Sequence, residues 1–118
     1  ALIPRCEGMN LGILGIKPMG SDHMIELARK EGFFNDTQAN PARAMLRYVF
    51  REPHIDCTMT AMNSMDELFG NLEASYNTSL SSYEEHLLKQ LSDTAAATKR
   101  AYLPDRYWWL ENWASNFA

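Results

Sequence analysis

Lys17 and the Ser64/Glu67 pair are the residues whose type and setting come closest to ligand chemistry. Lys17 follows the apolar run Leu11–Ile16, LGILGI. It therefore stands just past a candidate strand end, where parallel-sheet proteins place their ligand-binding residues. Spacing alone nonetheless favours a solvated lysine at a loop entrance. Ser64 and Glu67 form a capping box at the head of a helical stretch. A helix starting there turns its first N–H groups outward at the C-terminal end of the preceding strand, which suits an anion such as a cofactor phosphate. Most capped helices, however, bind nothing.

Other chemistries find less support. His23, His54 and His86 show no metal-ligand spacing, and HExxH is absent. GILGIKPMG fits neither common glycine-rich phosphate loop. Asp56 and Cys57 sit within a strand and read as structural. The 7 methionines read as core filler. The C-terminal Trp/Tyr cluster reads first as packing onto the domain's own surface and second as a clasp for a ligand or partner. Cys6 and Cys57 lie far apart without CxxC spacing, so the expectation is two reduced thiols in a cytoplasmic protein, with a disulfide as the alternative. The sequons at Asn35 and Asn77 read as chance. A net charge of -4 without a basic stripe argues against nucleic acid. The apolar runs are too short to cross a membrane, and no signal peptide is visible. The 118 residues suit one domain of ordinary size.

These residues need elements to hold them. Residues 1–9 read as the end of a helix, with Met9-Asn10 as its exit. Leu11–Ile16 reads as a strand buried on both faces, stopped by Lys17-Pro18-Met19-Gly20. Ser21 caps a helix over Asp22–Lys30, with Met24, Ile25, Leu27 and Ala28 inward and Gly32 at its end. Phe33–Gln38 is a loop. Asn40-Pro41 starts a further helix, with Ala42, Met45, Leu46, Val49 and Phe50 inward and Arg43, Arg47 and Arg51 outward. Pro53 ends it.

Ile55–Met62 is apolar and β-branched, as in a mostly buried strand. In the helix that follows, Met65, Leu68, Phe69, Leu72 and Tyr76 share one face. Strand, helices, strand, helix predicts a parallel sheet. Two strands alone leave both edges open and call for neighbours. Ser81 and Glu84 form a second capping box, opening a helix to about Tyr102 with Tyr83, Leu87, Leu88, Leu91 and Ala95–Ala97 as its apolar positions. Arg106–Asn116 is a last amphipathic stretch. The chain begins ALIPRCEGM, without an initiator Met. It reads as a piece of a longer protein, initiator removal before Ala1 being the other explanation.

LGILGIKPMG resembles the seventh barrel strand and following loop of bacterial aldo-keto reductases. NPARAMLRYVFREPHIDCTMTAMNSMDELFGNLEA resembles their seventh helix, eighth strand and eighth helix, in the same order. The likeness covers residues 1–76. Residues 77–118 match only loosely, as a helical C-terminal tail packing on that part. The resemblance implies an α/β chain: the C-terminal fragment of a (β/α)8 TIM barrel, its last two parallel strands with their helices, plus a helical extension. It implies part of an NAD(P)H-dependent oxidoreductase acting on a small aldehyde or ketone. This chain would supply half the cradle for NADP or NAD.

Under that resemblance Lys17, Pro18 and Met19 would line the pyrophosphate. Ala61, Met62 and Asn63 would lie along the adenosine phosphate or ribose, with Ser64 at the helix start, and Asn71 would reach the adenine. Glu67 stands where many NADPH-specific members carry an arginine, and Gly70 where an acidic or amide residue is common. The family's catalytic Asp, Tyr, Lys and His belong to the first four strands, which have no counterpart here, so no catalytic residue is assigned. The implied partner is the missing N-terminal barrel half or a second copy of the chain. The alternative is a non-catalytic, mostly helical interaction or assembly module, its open strand edges and aromatic tail serving the partner.

Overall fold

A computed structural model describes residues 2–20, 22–35 and 38–97. The first helix, α1 (Leu2–Gly8), leaves through Asn10 in the left-handed region at φ 54°. The Asn10 N–H donates to the Glu7 carbonyl at 2.9 Å and the Leu11 N–H to the Cys6 carbonyl at 3.0 Å, a Schellman closure of the helix end. Strand β1 (Leu14–Ile16) pairs in parallel with β2 (Cys57–Met59), Leu14 opposite Cys57 and Ile16 opposite Met59. Asp56 pins the entrance of this ladder. Its N–H donates to the Ile13 carbonyl at 3.0 Å, and its carboxylate accepts from the Ile13 N–H at 2.7 Å.

Helix α2 (Asp22–Lys30), a 3-10 turn (Phe33–Asn35) and helix α3 (Pro41–Phe50) lie between the strands. Helices α4 (Met65–Tyr76) and α5 (Ser82–Ala97) follow β2. Among the described residues the architecture is thus mixed, a two-stranded parallel sheet with five α-helices. None of these helices is long and apolar enough to cross a membrane. Cys6 and Cys57 carry free thiols. Ser21 and the segment from Thr98 onward, with the aromatic tail, lie outside the described residues.

The core lies among the helices and not over the sheet. Leu27 and Ala28 of α2, Met45 of α3, and Leu91 and Ala95 of α5 form one cluster. Ala39, Ala44 and Leu87 form another beside it. Burying these side chains contributes roughly 1–3 kcal/mol each. The expectations of a strand buried on both faces at Leu11–Ile16 and a mostly buried one at Ile55–Met62 are overturned. The strands are three residues each, shorter than the apolar runs, and Ile16 is 67% exposed. One ladder with no flanking strand gives neither face enough cover.

Two helical faces are also corrected. In α4 the stripe Met65, Phe69, Leu72 and Tyr76 turns outward, Phe69 at 60% and Tyr76 at 87% exposure, whereas Gly70 and Ala74 are buried. Small residues let α4 approach α3 closely: a Cβ on Gly70 would lie 2.9 Å from Arg43 Nε. In α3 the buried residues are Pro41, Ala44, Met45 and Leu46, while Ala42, Val49 and Phe50 are only half-buried. Tyr83 and Ala96–Ala97 of α5 are exposed, because that helix buries only a narrow line through Leu87, Leu91 and Ala95.

Arg47, expected outside, is the hub of a three-helix junction. Its Nε donates to the Asn77 carbonyl at the end of α4 at 2.9 Å. Its Nη1 pairs with Glu84, and its Nη2 with Glu73 at 3.3 Å. The Arg47 and Glu84 side chains are only 12% and 6% exposed. Glu84 also closes the capping box of α5, accepting from the Ser81 N–H at 2.9 Å while its own N–H donates to Ser81 Oγ at 3.2 Å. Removing one partner of such a pair strands the other charge in a low-dielectric site. Arg47→Ala is therefore expected to destabilise the fold by about 3 kcal/mol, read as a lowered urea midpoint. Arg51→Ala, whose partner Glu85 is exposed, serves as the control and should shift the midpoint by well under ~1 kcal/mol.

Candidate functional site

Three backbone devices bring loops and helix starts to one end of the sheet. At the exit of β1, Lys17 adopts φ 54°, uncommon for a residue with a Cβ and a local strain of about 1 kcal/mol. The Gly20 N–H donates to the Lys17 carbonyl at 2.9 Å, closing the turn over residues 17–20. Gly20 itself has φ +65°, and a Cβ there would lie 2.6 Å from Met24 Cγ. At the start of α3, Asn40 Oδ1 accepts from the Ala42 and Arg43 N–H groups at 3.0 and 3.2 Å. At the start of α4, Ser64 Oγ accepts from the Glu67 N–H at 3.2 Å.

Both strands run in the same direction, so their C-terminal ends open on one side. The starts of α3 and α4 meet there, and α2 adds Ile25, Glu26 and Arg29. Together they enclose an open cleft of about 720 Å³, a size that suits a ligand larger than a single sugar. Lys17, Pro18, Met19, Ala61, Asn63, Glu67 and Asn71 all line it. Met62 does not, and its side chain is exposed nearby in sequence. The chain thus brings together seven positions singled out from two segments more than forty residues apart in the sequence.

Charge in the cleft is mixed. Glu26 and Arg29 of α2 and Arg43 of α3 line it and were missed from sequence, as was Asp66. Arg29 lies over the Phe34 ring, 5.7 Å from its centroid. Arg43 donates to Glu73 at 2.8 Å and covers Gly70. The legible signal for Arg43 was its place two residues after Pro41, in the first turn of a helix with an unmistakable start; Arg29 carried no such signal. The start of α4 is different from that of α3. Glu67 folds back to accept from the Asn63 N–H at 2.6 Å, which places a carboxylate beside that helix start.

Among the described residues the lining contains neither histidine, cysteine nor tyrosine, and no group of three or more His, Cys, Asp or Glu could hold a metal ion. The arrangement offers a ligand cations, carboxylates, amides and apolar walls. No family model matches the chain, and no curated protein or solved structure matches it.

Ser64→Ala should loosen the first turn of α4 at the rim of this cleft, costing about 1 kcal/mol. Hydrogen exchange at the Glu67 amide is expected to accelerate, with exchange in α5 unchanged.

Proposed function

We propose that this chain supplies half of a dinucleotide cradle in an NAD(P)H-dependent oxidoreductase of the aldo-keto reductase type, acting on a small carbonyl substrate. The observation that carries the reading is the convergence of seven candidate cofactor residues on one cleft at the C-terminal ends of two parallel strands. That is the end of an α/β sheet at which ligands bind. In this reading the turn over residues 17–20 and Arg29 face the pyrophosphate, and Asn71 reaches the adenine. The chain provides cofactor contacts and no proton donor. The exposed apolar side chains of β1 and β2 support a place in a larger (β/α)8 barrel, with the other strands, or a second copy of this chain, covering them.

A second reading is favoured by the stripe of Met65, Phe69, Leu72 and Tyr76 along α4, an exposed apolar line of the kind that serves partner helices. In that case the chain is a non-catalytic assembly module. Titration of the 118-residue chain with NADH and NADPH separates the two. Binding with perturbation of the Lys17 and Asn71 amides is expected for the cradle, and no turnover of an aldehyde by the chain alone. Absence of any nucleotide binding, together with a tight dimer in light scattering, would favour the assembly module.

A further inference from the structure

The outward stripe of α4 has a symmetry of its own. Met65, Phe69, Leu72 and Tyr76 follow one another at intervals of four, three and four residues, and all four are exposed. This is the spacing of a helix–helix seam, and it reads the same in either direction along the helix. Two copies of α4 laid antiparallel, about a two-fold axis between Gly70 and Asn71, therefore set Met65 against Tyr76 and Phe69 against Leu72, each contact occurring twice. Covering the stripe on both copies removes on the order of 1,000 Å² from water, close to the smallest specific interfaces. The charges alongside permit the contact. One flank of the seam carries Leu68 and Ser75, and the other Asp66 and Glu73. Glu73 is already paired with Arg43 at 2.8 Å. The antiparallel arrangement also brings the positive start of each helix beside the negative end of the other.

Deepening the assembly reading, on which it rests, we propose that the partner of this face is a second copy of the chain, docked α4 to α4 in an antiparallel two-fold dimer with Phe69 and Leu72 at its centre. The stripe lies on the side of α4 away from Glu67, Gly70 and Asn71, which line the cleft. A copy seated on the stripe leaves the cleft open.

Sedimentation equilibrium of the 118-residue chain, at several concentrations and in low and high salt, is the first measurement. A reversible dimer is expected. Salt should not weaken it, because the contact is apolar and the charges beside it are acidic. Phe69→Glu places a carboxylate at the centre of the contact and should weaken the dimer by at least about thirtyfold, while circular dichroism shows the helix content kept. Register is then tested in a C6S/C57S background, which removes the two free thiols. Adding M65C/Y76C should give covalent dimers with a short bismaleimide. M65C alone should not, since its two copies lie about 16 Å apart along the helix axis. A dimer that survives F69E unchanged, or cross-linking that is the same with and without Y76C, overturns the α4 contact and leaves the assembly reading standing. A chain that stays monomeric at millimolar concentration, its stripe bare or covered by its own C-terminal residues, removes both.

Discussion

Arg47 holds three helices to one another through a single guanidinium. It closes the end of α4 at the Asn77 carbonyl, pairs with the carboxylate that caps the start of α5, and grows from α3 between them. The chain turns twice within a few residues here, between α4 and α5, and both loose backbone ends need partners. A buried ion pair is in general a poor source of net stability, since desolvation offsets the attraction. Its value here is geometric. A planar donor with fixed directions can satisfy a carbonyl and two carboxylates at once, which an apolar residue of the same size cannot.

That junction sets where α4 lies, and α4 sets one wall of the cleft. The helix is held against α3 by Gly70 and Ala74, with Arg43 filling the space that a Cβ would need. Arg43 in turn pairs with Glu73, which Arg47 also contacts. A continuous line of side chains thus runs from the α4–α5 turn to the cleft wall. Every buried side-chain nitrogen and oxygen among the described residues has a hydrogen-bond partner, so this polar layer is complete rather than frustrated.

The distribution of apolar surface is the other consequence. The clusters of α2, α3 and α5 bury their side chains well, while the sheet and the outer stripe of α4 do not. A two-stranded parallel ladder has no second helical layer to close it, and its residues stay exposed however apolar they are. The well-packed helices and the exposed apolar surface are therefore different parts of the domain. The helices hold the cleft's shape, and the segments leaving the strands, with Met59 of β2, complete its lining.

Local signals in the sequence determined the helix starts. Asn40-Pro41, Ser64 with Glu67, and Ser81 with Glu84 each marked the right position, because capping is settled by residues within one turn of each other. The parallel pairing was legible too, from the alternation of apolar runs and helices. Lys17, Pro18, Met19, Ala61, Asn63, Glu67 and Asn71, singled out through a resemblance and not through spacing, line one cleft. Only the tertiary structure decided which side of each helix is covered. Arg47 is a charged residue on a helix that reads as amphipathic, and nothing within its own turn announces that Glu84, far along the chain, waits for it. The outward stripe of α4 is the same lesson in reverse: Gly70 and Ala74 win the contact because a close approach to α3 needs small side chains, and periodicity weighs hydrophobicity but not the distance between helices.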